Sequence, residues 1–306
     1  MEMVIRDNSF TSNRLRIIAT ILLILTTLLW GTSFIITKKI TQEVPIFLYL
    51  GLRFLIAIIG LFPYFIRMKQ VNKRILILGS ITGLIYFLAI VFQTIGLQTT
   101  TAGKAAFITG LSTIMVPFIA WLGFKRSLNK RIWIAVFLSI IGMAFLLLEG
   151  EAGIIIGDIL VLVCAVLYAI FIILNDKYVN LIDIYLYSII QLLIISLLCF
   201  GSSFLINESY SFSSIELGYW LVIIYMGIVV TTGTFIFQNW GQQHQGPAQT
   251  AIIFTLEPVF AVLFASFIIG NETMTILGWF GCSLFFMAIL ITVLKIGEIN
   301  KNKKNN

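Results

Sequence analysis

The chain has 306 residues, 59% of them hydrophobic and 11% charged, and its mean hydropathy is +1.04. A water-soluble domain carries roughly a quarter charged residues, so the composition excludes a soluble enzyme and predicts a polytopic membrane protein with little mass outside the bilayer. The formal net charge of +7 lies in short connections between apolar runs, which assigns it to topology and lipid headgroups and not to nucleic acid.

Ten apolar runs of spanning length follow one another, at about residues 16–37, 45–66, 74–95, 103–124, 130–148, 157–175, 183–206, 218–239, 246–269 and 275–296. Each is long enough to cross roughly 30 Å of hydrocarbon as a helix. The expected fold class is therefore an all-α polytopic membrane protein of ten transmembrane helices. Arg14 and Arg16 precede the first run as in a signal peptide, but no small-residue cleavage site follows, so this run reads as an uncleaved span. The polar residues 297–306 read as a disordered cytoplasmic tail. Cys164, Cys199 and Cys282 lie inside apolar runs. Their spacing is neither a disulfide framework nor a metal site, so they read as small core residues, and no cofactor or metal is implied.

Basic residues set the orientation. With the N-terminus inside, the inner connections and ends hold sixteen of the twenty Lys and Arg residues, the outer ones hold Lys38, Lys39 and Lys104, and Arg53 lies within a span. That skew obeys the positive-inside rule. It predicts a multi-pass protein of the cell (inner or plasma) membrane with both termini cytoplasmic.

An internal repeat divides the chain. At an offset of 138, Ile46, Leu48, Tyr49, Leu55 and Ile56 meet the identical residues Ile184, Leu186, Tyr187, Leu193 and Ile194. At 145, Phe92, Gln93, Gly96 and Gln98 meet Phe237, Gln238, Gly241 and Gln243, and at 146 Trp133 meets Trp279. Five spans per half is an odd number, so the second half enters the bilayer from the opposite side. The expected units are two inverted five-helix repeats, 16–148 and 157–296, with a binding site near the midplane between them.

Polar side chains within the spans are the candidate site. Thr26, Trp30, Ser33 and Thr37 recur at helical spacing on one face of the first span, and Cys164, Tyr168, Phe171 and Asn175 stand at the corresponding positions of the sixth. A polar and aromatic stripe repeated in both halves suits a shared cavity wall; the alternative is helix packing, with the hydroxyls bonded to their own backbone. Gln93 and Gln238 are repeat mates and serve either as interhelical glue or as substrate contacts. Gly79 and Gly83 form a small-xxx-small spacing for close helix approach, within the chain or, alternatively, in a homodimer. Lys104, Glu149, Glu151, Glu208 and Glu216 read as interface or loop charges, and His244 as a solvated loop residue.

Arg53 lies about 8 residues into the second span, roughly 12 Å of helix rise from Pro45. Its mate is the neutral Gln191. It either snorkels, pairs with a buried acid, or takes part in substrate binding or coupling. Glu257 lies roughly 15 Å beyond Pro247, near mid-bilayer, where a charge is a functional candidate by default. Its mate Ser112 cannot ionise. Glu257 can carry a proton, bind a cationic group, or brace the kink expected at Pro258. Thr250 lies on the same helix face two turns earlier. The substrate-binding candidates are thus Thr26, Trp30, Ser33, Gln93, Tyr168, Gln238, Thr250 and Glu257, with Glu257 and Arg53 as coupling candidates.

No phosphate loop is present: Gln98 and Ala105 stand where a glycine and a Ser or Thr are required beside Gly103-Lys104. No catalytic constellation is visible either, so the chain does not read as an enzyme. Leu28–Lys38 (LLWGTSFIITK), Thr100–Trp121 and Thr255–Glu272 (TLEPVFAVLFASFIIGNE) resemble the EamA-like drug/metabolite transporter superfamily. The resemblance covers nearly the whole chain, carried most specifically by Trp30-Gly31 and Glu257-Pro258. It implies a cavity lined by helices 1, 3, 4, 6, 8 and 9 and transport of amino acids or other small metabolites, usually outward. Glu272 fits the position of a family loop glutamate, although Asn271 replaces the usual glycine and Arg126 takes the corresponding place in the first half. The expected function is alternating-access secondary transport, with Pro117 and Pro258 as points of backbone weakness. The alternatives are an uncoupled facilitator, a membrane enzyme or a structural subunit.

Overall fold

The computed structural model describes residues 13–124, 134, 137, 138, 140–142, 145, 154–208, 215–245, 250, 253, 254, 256–268, 275–284, 286, 287 and 291. Among these every regular element is helical. In chain order they are α1 (Asn13–Ile40), α2 (Ile46–Gly60), α3 (Lys73–Leu97), α4 (Ala102–Phe124), α5 (Ile156–Val179), α6 (Ile184–Leu205), α7 (Leu217–His244) and α8 (Glu257–Leu263). α1–α4 are the first four expected spans, and α5–α8 are the sixth to ninth. The fifth span lies largely outside the described residues; of the tenth, residues 276–284 are helical. Pro247, Asn271, Glu272, Arg126, Trp133, Glu149, Glu151 and the tail 297–306 also lie outside them.

Five helices are long and apolar enough to cross a membrane by length and composition: Arg14–Ile40, Lys73–Leu97, Ile156–Val179, Ile184–Leu205 and Leu217–His244. The side chains are distributed to match. α3 turns Ile77, Ile81, Leu84 and Leu88 outward and buries Gly79, Gly83, Tyr86, Ile90 and Gln93. Water-soluble proteins bury their large aliphatics and expose their amides. Here the amides are inside and the aliphatics outside, as a surface facing lipid requires.

The second expected span ends early. α2 stops at Gly60, and a 3₁₀ segment, Phe62–Gln70, leaves it at a bend of 80°. Pro63 stands in its first turn, where it cannot continue the α2 hydrogen-bond ladder. Phe62, Phe65 and Ile66 are exposed on it beside Arg67 and Lys69.

The packing is two-fold. α3 rests on α5 as α7 rests on α1, α4 on α5 as α8 on α1, and α3 on α6 as α7 on α2; α2 also packs on its own mate α6. Glycines set the closest approaches, and they too are mates. A Cβ on Gly96 would meet Val161 of α5 at 2.7 Å, and one on Gly241 would meet Leu23 of α1 at 2.7 Å; Leu23 and Val161 are 138 apart. Likewise a Cβ on Gly83 would meet the Gln191 carbonyl at 3.0 Å, and one on Gly227 would meet the Arg53 carbonyl at 2.9 Å. Gly79 and Gly83 therefore serve close approach inside the monomer, against α6.

The repeats are inverted. Phe47 and Leu48 at the start of α2 donate their backbone N–H to Glu208 just beyond the end of α6 (3.1 and 3.0 Å), and Ser196 reaches the Gly51 carbonyl midway (3.1 Å). The mates α2 and α6 thus run antiparallel, so the axis relating the halves lies across them, in the plane of the membrane. Glu208 is accordingly no loop charge: it caps the first turn of α2, which lacks a side-chain cap of its own.

Two spans are irregular. Residues Met226–Thr232 of α7 form a π-helical turn in which the Thr231 and Thr232 hydroxyls bond the carbonyls five residues back, at 2.8 and 3.2 Å. The ninth span tightens its ladder just before the proline, where the Leu256 N–H bonds the Ile253 carbonyl three residues back at 3.0 Å. Residues 253 and 254 are helical, Leu256 is a turn, and α8 restarts with Pro258 in its first turn, where a missing N–H costs little.

Candidate functional site

The two repeats meet around a cavity with ≈ 530 Å³ of atom-free volume, part of it open to the outside. Each wall is set by a helix face. Trp30, Ser33 and Phe34 come from α1, and their mates Tyr168, Phe171 and Ile172 from α5. Tyr86, Ile90 and Gln93 come from α3, Thr109, Ser112 and Thr113 from α4, Gln238 from α7, and Phe254 and Glu257 from the ninth span. These are the helices that the family resemblance implies; Arg53 adds α2.

Trp30 packs on Phe254 with ring centroids 5.0 Å apart. Gly31 makes that possible: a Cβ there would lie 2.7 Å from Phe260 Cβ and 2.9 Å from the Ala261 nitrogen. The Trp-Gly pair thus holds the first span against the ninth. Opposite stands Tyr86, in edge-on contact with Tyr168 (5.2 Å), Phe171 (5.0 Å), Phe235 (5.1 Å) and Phe54 (6.1 Å). Tyr86 is the residue that a reading of apolar runs misses. The signal for it is its helical spacing from Gly79 and Gly83 on one side and Ile90 and Gln93 on the other.

Glu257 is 8% exposed and has no hydrogen-bond or ion-pair partner among the described residues. Arg53 is 4% exposed, too buried to snorkel, and pairs with no acid among the described residues. Its Nε donates to Thr231 Oγ1 at 2.8 Å and its Nη1 to Thr37 Oγ1 at 3.5 Å, and Thr37 also meets the Tyr49 hydroxyl at 3.1 Å. The π-helical turn of α7 therefore presents the hydroxyl that orients the guanidinium. Gln93 Nε2 donates to Thr109 Oγ1 at 3.1 Å, whereas its mate Gln238 leaves a buried Nε2 without a partner. The cavity thus holds a carboxyl, a guanidinium and an amide donor whose capacities the described residues do not fill.

Two candidates stand apart. Thr26 is fully buried and bonds the Leu22 carbonyl of its own helix at 2.9 Å; it is not among the lining residues. Thr250 is fully buried, away from the lining, with no partner for its hydroxyl among the described residues. Ser33 lines the cavity, although its hydroxyl bonds the Trp30 carbonyl at 2.9 Å. His244 ends α7, stacked on Trp240 with its Nδ1 2.8 Å from the Trp240 carbonyl oxygen, so it is not a solvated loop residue.

A second polar network lies toward the end of the bundle where α1 begins. Asn175 Nδ2 donates to Asn239 Oδ1 (2.8 Å) and to Gln242 Oε1. Asn239 Nδ2 donates to Ser188 Oγ (2.7 Å), and Gln191 Nε2 to Thr82 Oγ1 (3.0 Å) and Asn175 Oδ1 (3.4 Å). It is the neutral counterpart of the Arg53 cluster: Gln191 meets Asn175 as Arg53 meets Thr37, mate for mate. Among the described residues no group of His, Cys, Asp and Glu could hold a metal ion.

An all-helical bundle with aliphatics outside and a polar cavity between two inverted repeats defines a multi-pass membrane protein built like a transporter. The model of the EamA-like transporter family matches residues 17–148 and again 155–294, so the chain belongs to that family. It is 30% identical over 92% of its length to an uncharacterized transporter of Archaeoglobus fulgidus, 87% of which is covered, and 23% identical over 81% to the uncharacterized transporter YyaM of Bacillus subtilis, 83% of which is covered. A solved crystal structure shares the fold at TM-score 0.66 and 18% identity, covering 90% of this chain and 96% of that one.

Proposed function

We propose that the chain carries a small, dipolar organic molecule of amino-acid type through the central cavity by alternating access, as an exporter from the cytoplasm. One observation carries the reading: Arg53 and Glu257 line the same cavity, and neither has an ion-pair partner among the described residues. A buried charge is expensive unless paired. A ligand with an anionic and a cationic group relieves both at once, and a neutral or singly charged one does not. The unfilled Gln238 Nε2 gives the anionic end a further donor, and the rings of Trp30, Tyr86, Tyr168 and Phe254 supply an apolar wall for the remainder. The collection of Arg14, Arg16, Arg67, Lys69, Lys73, Arg74 and Lys177 at one end of the bundle supports a cytoplasmic setting for that end.

Stabilisation of the purified protein tests this. A bound ligand raises the melting temperature by mass action. Zwitterionic amino acids should raise it more than the matching amines or carboxylic acids, and the gain should vanish in Glu257→Gln. Equal stabilisation by all three probe sets would remove the dipolar reading.

A further inference from the structure

At the end of the bundle opposite the N-terminus, the start of α4 is tied to the start of α5. Lys104 Nζ lies 2.8 Å from Asp158 Oδ2, and Thr100 Oγ1 donates to Asp158 Oδ1 at 2.6 Å. Asp158 is 2% exposed at its side chain and Lys104 11%, so the pair is shielded from water. At the N-terminal end a contact between neutral groups ties the equivalent helices: Gln245 Nε2, just past α7, donates to Thr20 Oγ1 at 2.7 Å and to the Arg16 carbonyl at 2.9 Å. The partners correspond. Thr20 and Asp158 are separated by 138 positions, and Thr100 and Gln245 by 145, the offsets of the repeat itself.

We propose that these are the two latches of the transport cycle, one at each face: a buried ionic latch, Lys104–Asp158–Thr100, and a neutral one, Gln245–Thr20. The inference rests on the alternating-access reading above. Each latch joins two cavity-lining helices. Thr109 lies about 8 Å of helix rise below Lys104, and Trp30 about 15 Å above Thr20, so parting either pair spreads the wall on its own side. The ionic latch resists parting more, because separation breaks a charge-assisted contact made out of water. The neutral latch exchanges two uncharged hydrogen bonds, to the Thr20 hydroxyl and the Arg16 carbonyl, for bonds to water. The resting protein therefore opens more readily on the N-terminal side, and the ionic latch sets how seldom it opens on the other. Asp158 also accepts from the Ile155 N–H at 3.1 Å, as a helix cap. A pure cap would need no lysine.

The test reads opening directly. Ser33→Cys places a thiol on the cavity wall, and the three native cysteines are buried, so the unsubstituted protein sets the background. A membrane-impermeant maleimide is applied to right-side-out and to everted vesicles. Labelling should be faster from the N-terminal side. Asp158→Asn keeps one oxygen to accept from the Ile155 N–H and offers an amide donor to the Thr100 hydroxyl in place of the other oxygen; it removes the charge, and should raise labelling from the opposite side by about fivefold or more, as should Lys104→Gln. Gln245→Ala should raise labelling from the N-terminal side by a smaller factor. Unchanged rates, an equal rise on both sides, or a response to Asp158→Asn without one to Lys104→Gln would each overturn the proposal. The readout needs no cargo: alternating labelling in a protein that no zwitterion stabilises keeps the latches and removes the substrate reading.

Discussion

The two repeats agree where backbones touch and differ where charges sit. Gly96 against Val161 and Gly241 against Leu23 are one contact made twice, and so are Gly83 against Gln191 and Gly227 against Arg53. At the polar positions the mates diverge: Arg53 with Gln191, Glu257 with Ser112, Asp158 with Thr20. Close helix packing tolerates little change in volume, so the frame that both halves must build is shared. A charge placed in one half only makes a two-fold frame directional. The two halves share a packing frame and differ in the charges they bring to the cavity, and the proposed latches differ in the same way.

Removing the asymmetry is expected to have the largest effect. Arg53→Gln gives both repeats the same residue, and Gln191 shows that an amide fits there, bonded to a hydroxyl and an amide oxygen. The variant should purify as a folded protein yet lose flux of zwitterionic cargo in proteoliposomes by about tenfold or more, the loss of one charged contact. Glu257→Ser, which copies Ser112, should behave alike. Full flux in either variant would make the buried charges structural.

The shared frame predicts a smaller and graded effect. A Cβ on Gly96 would press on the Gly157 carbonyl oxygen at 2.7 Å as well as on Val161, whereas one on Gly241 would meet only the Leu23 side chain. Backbone cannot step aside as a leucine tip can. Gly96→Ala should therefore lower stability by about 1–3 kcal/mol and Gly241→Ala by less, read as melting temperature in detergent. The reverse order would mean that the two contacts are not equivalent.

The smallest effect concerns Asp183. It accepts from the Tyr185 and Leu186 N–H groups at 2.9 and 3.2 Å as the cap of α6, and it pairs with Arg67 at 3.3 Å, where Arg67 is half exposed. Asp183→Ala should cost about 1 kcal/mol, the worth of a cap, and Arg67→Ala only a few tenths, as exposed ion pairs do. Equal losses on thermal unfolding would assign the energy to the ion pair.

The class of the fold is legible in the sequence because lipid imposes long apolar runs and two inverted copies leave matched tyrosines, glutamines and glycines. Glu257 and Trp30 stand out for the same reason, as polar or amphipathic groups where the solvent is hydrocarbon. Asp158 escapes such a reading because it stands at the edge of an apolar run and looks like a boundary residue; only its distance to Lys104 reveals a partner. The π-helical turn escapes because it depends on tertiary contact, with the Thr232 hydroxyl also reaching the Ala57 carbonyl of α2 at 2.7 Å. Thr26 and Thr250 show the opposite failure. A hydroxyl on a helix can satisfy itself on its own ladder, as Thr26 does, and spacing alone cannot separate that from a site.

The bent segment after α2 constrains how the bundle can move. Phe62, Phe65 and Ile66 beside Arg67 and Lys69 suit the boundary between acyl chains and headgroups, where aliphatic and basic side chains are both at ease. A foot planted there fixes the immersion depth of α2, the helix that carries Arg53. On the alternating-access reading, a rearrangement of the two halves would then tilt about that height without sliding α2 along the membrane normal, and the guanidinium would keep its level while the walls around it exchange sides.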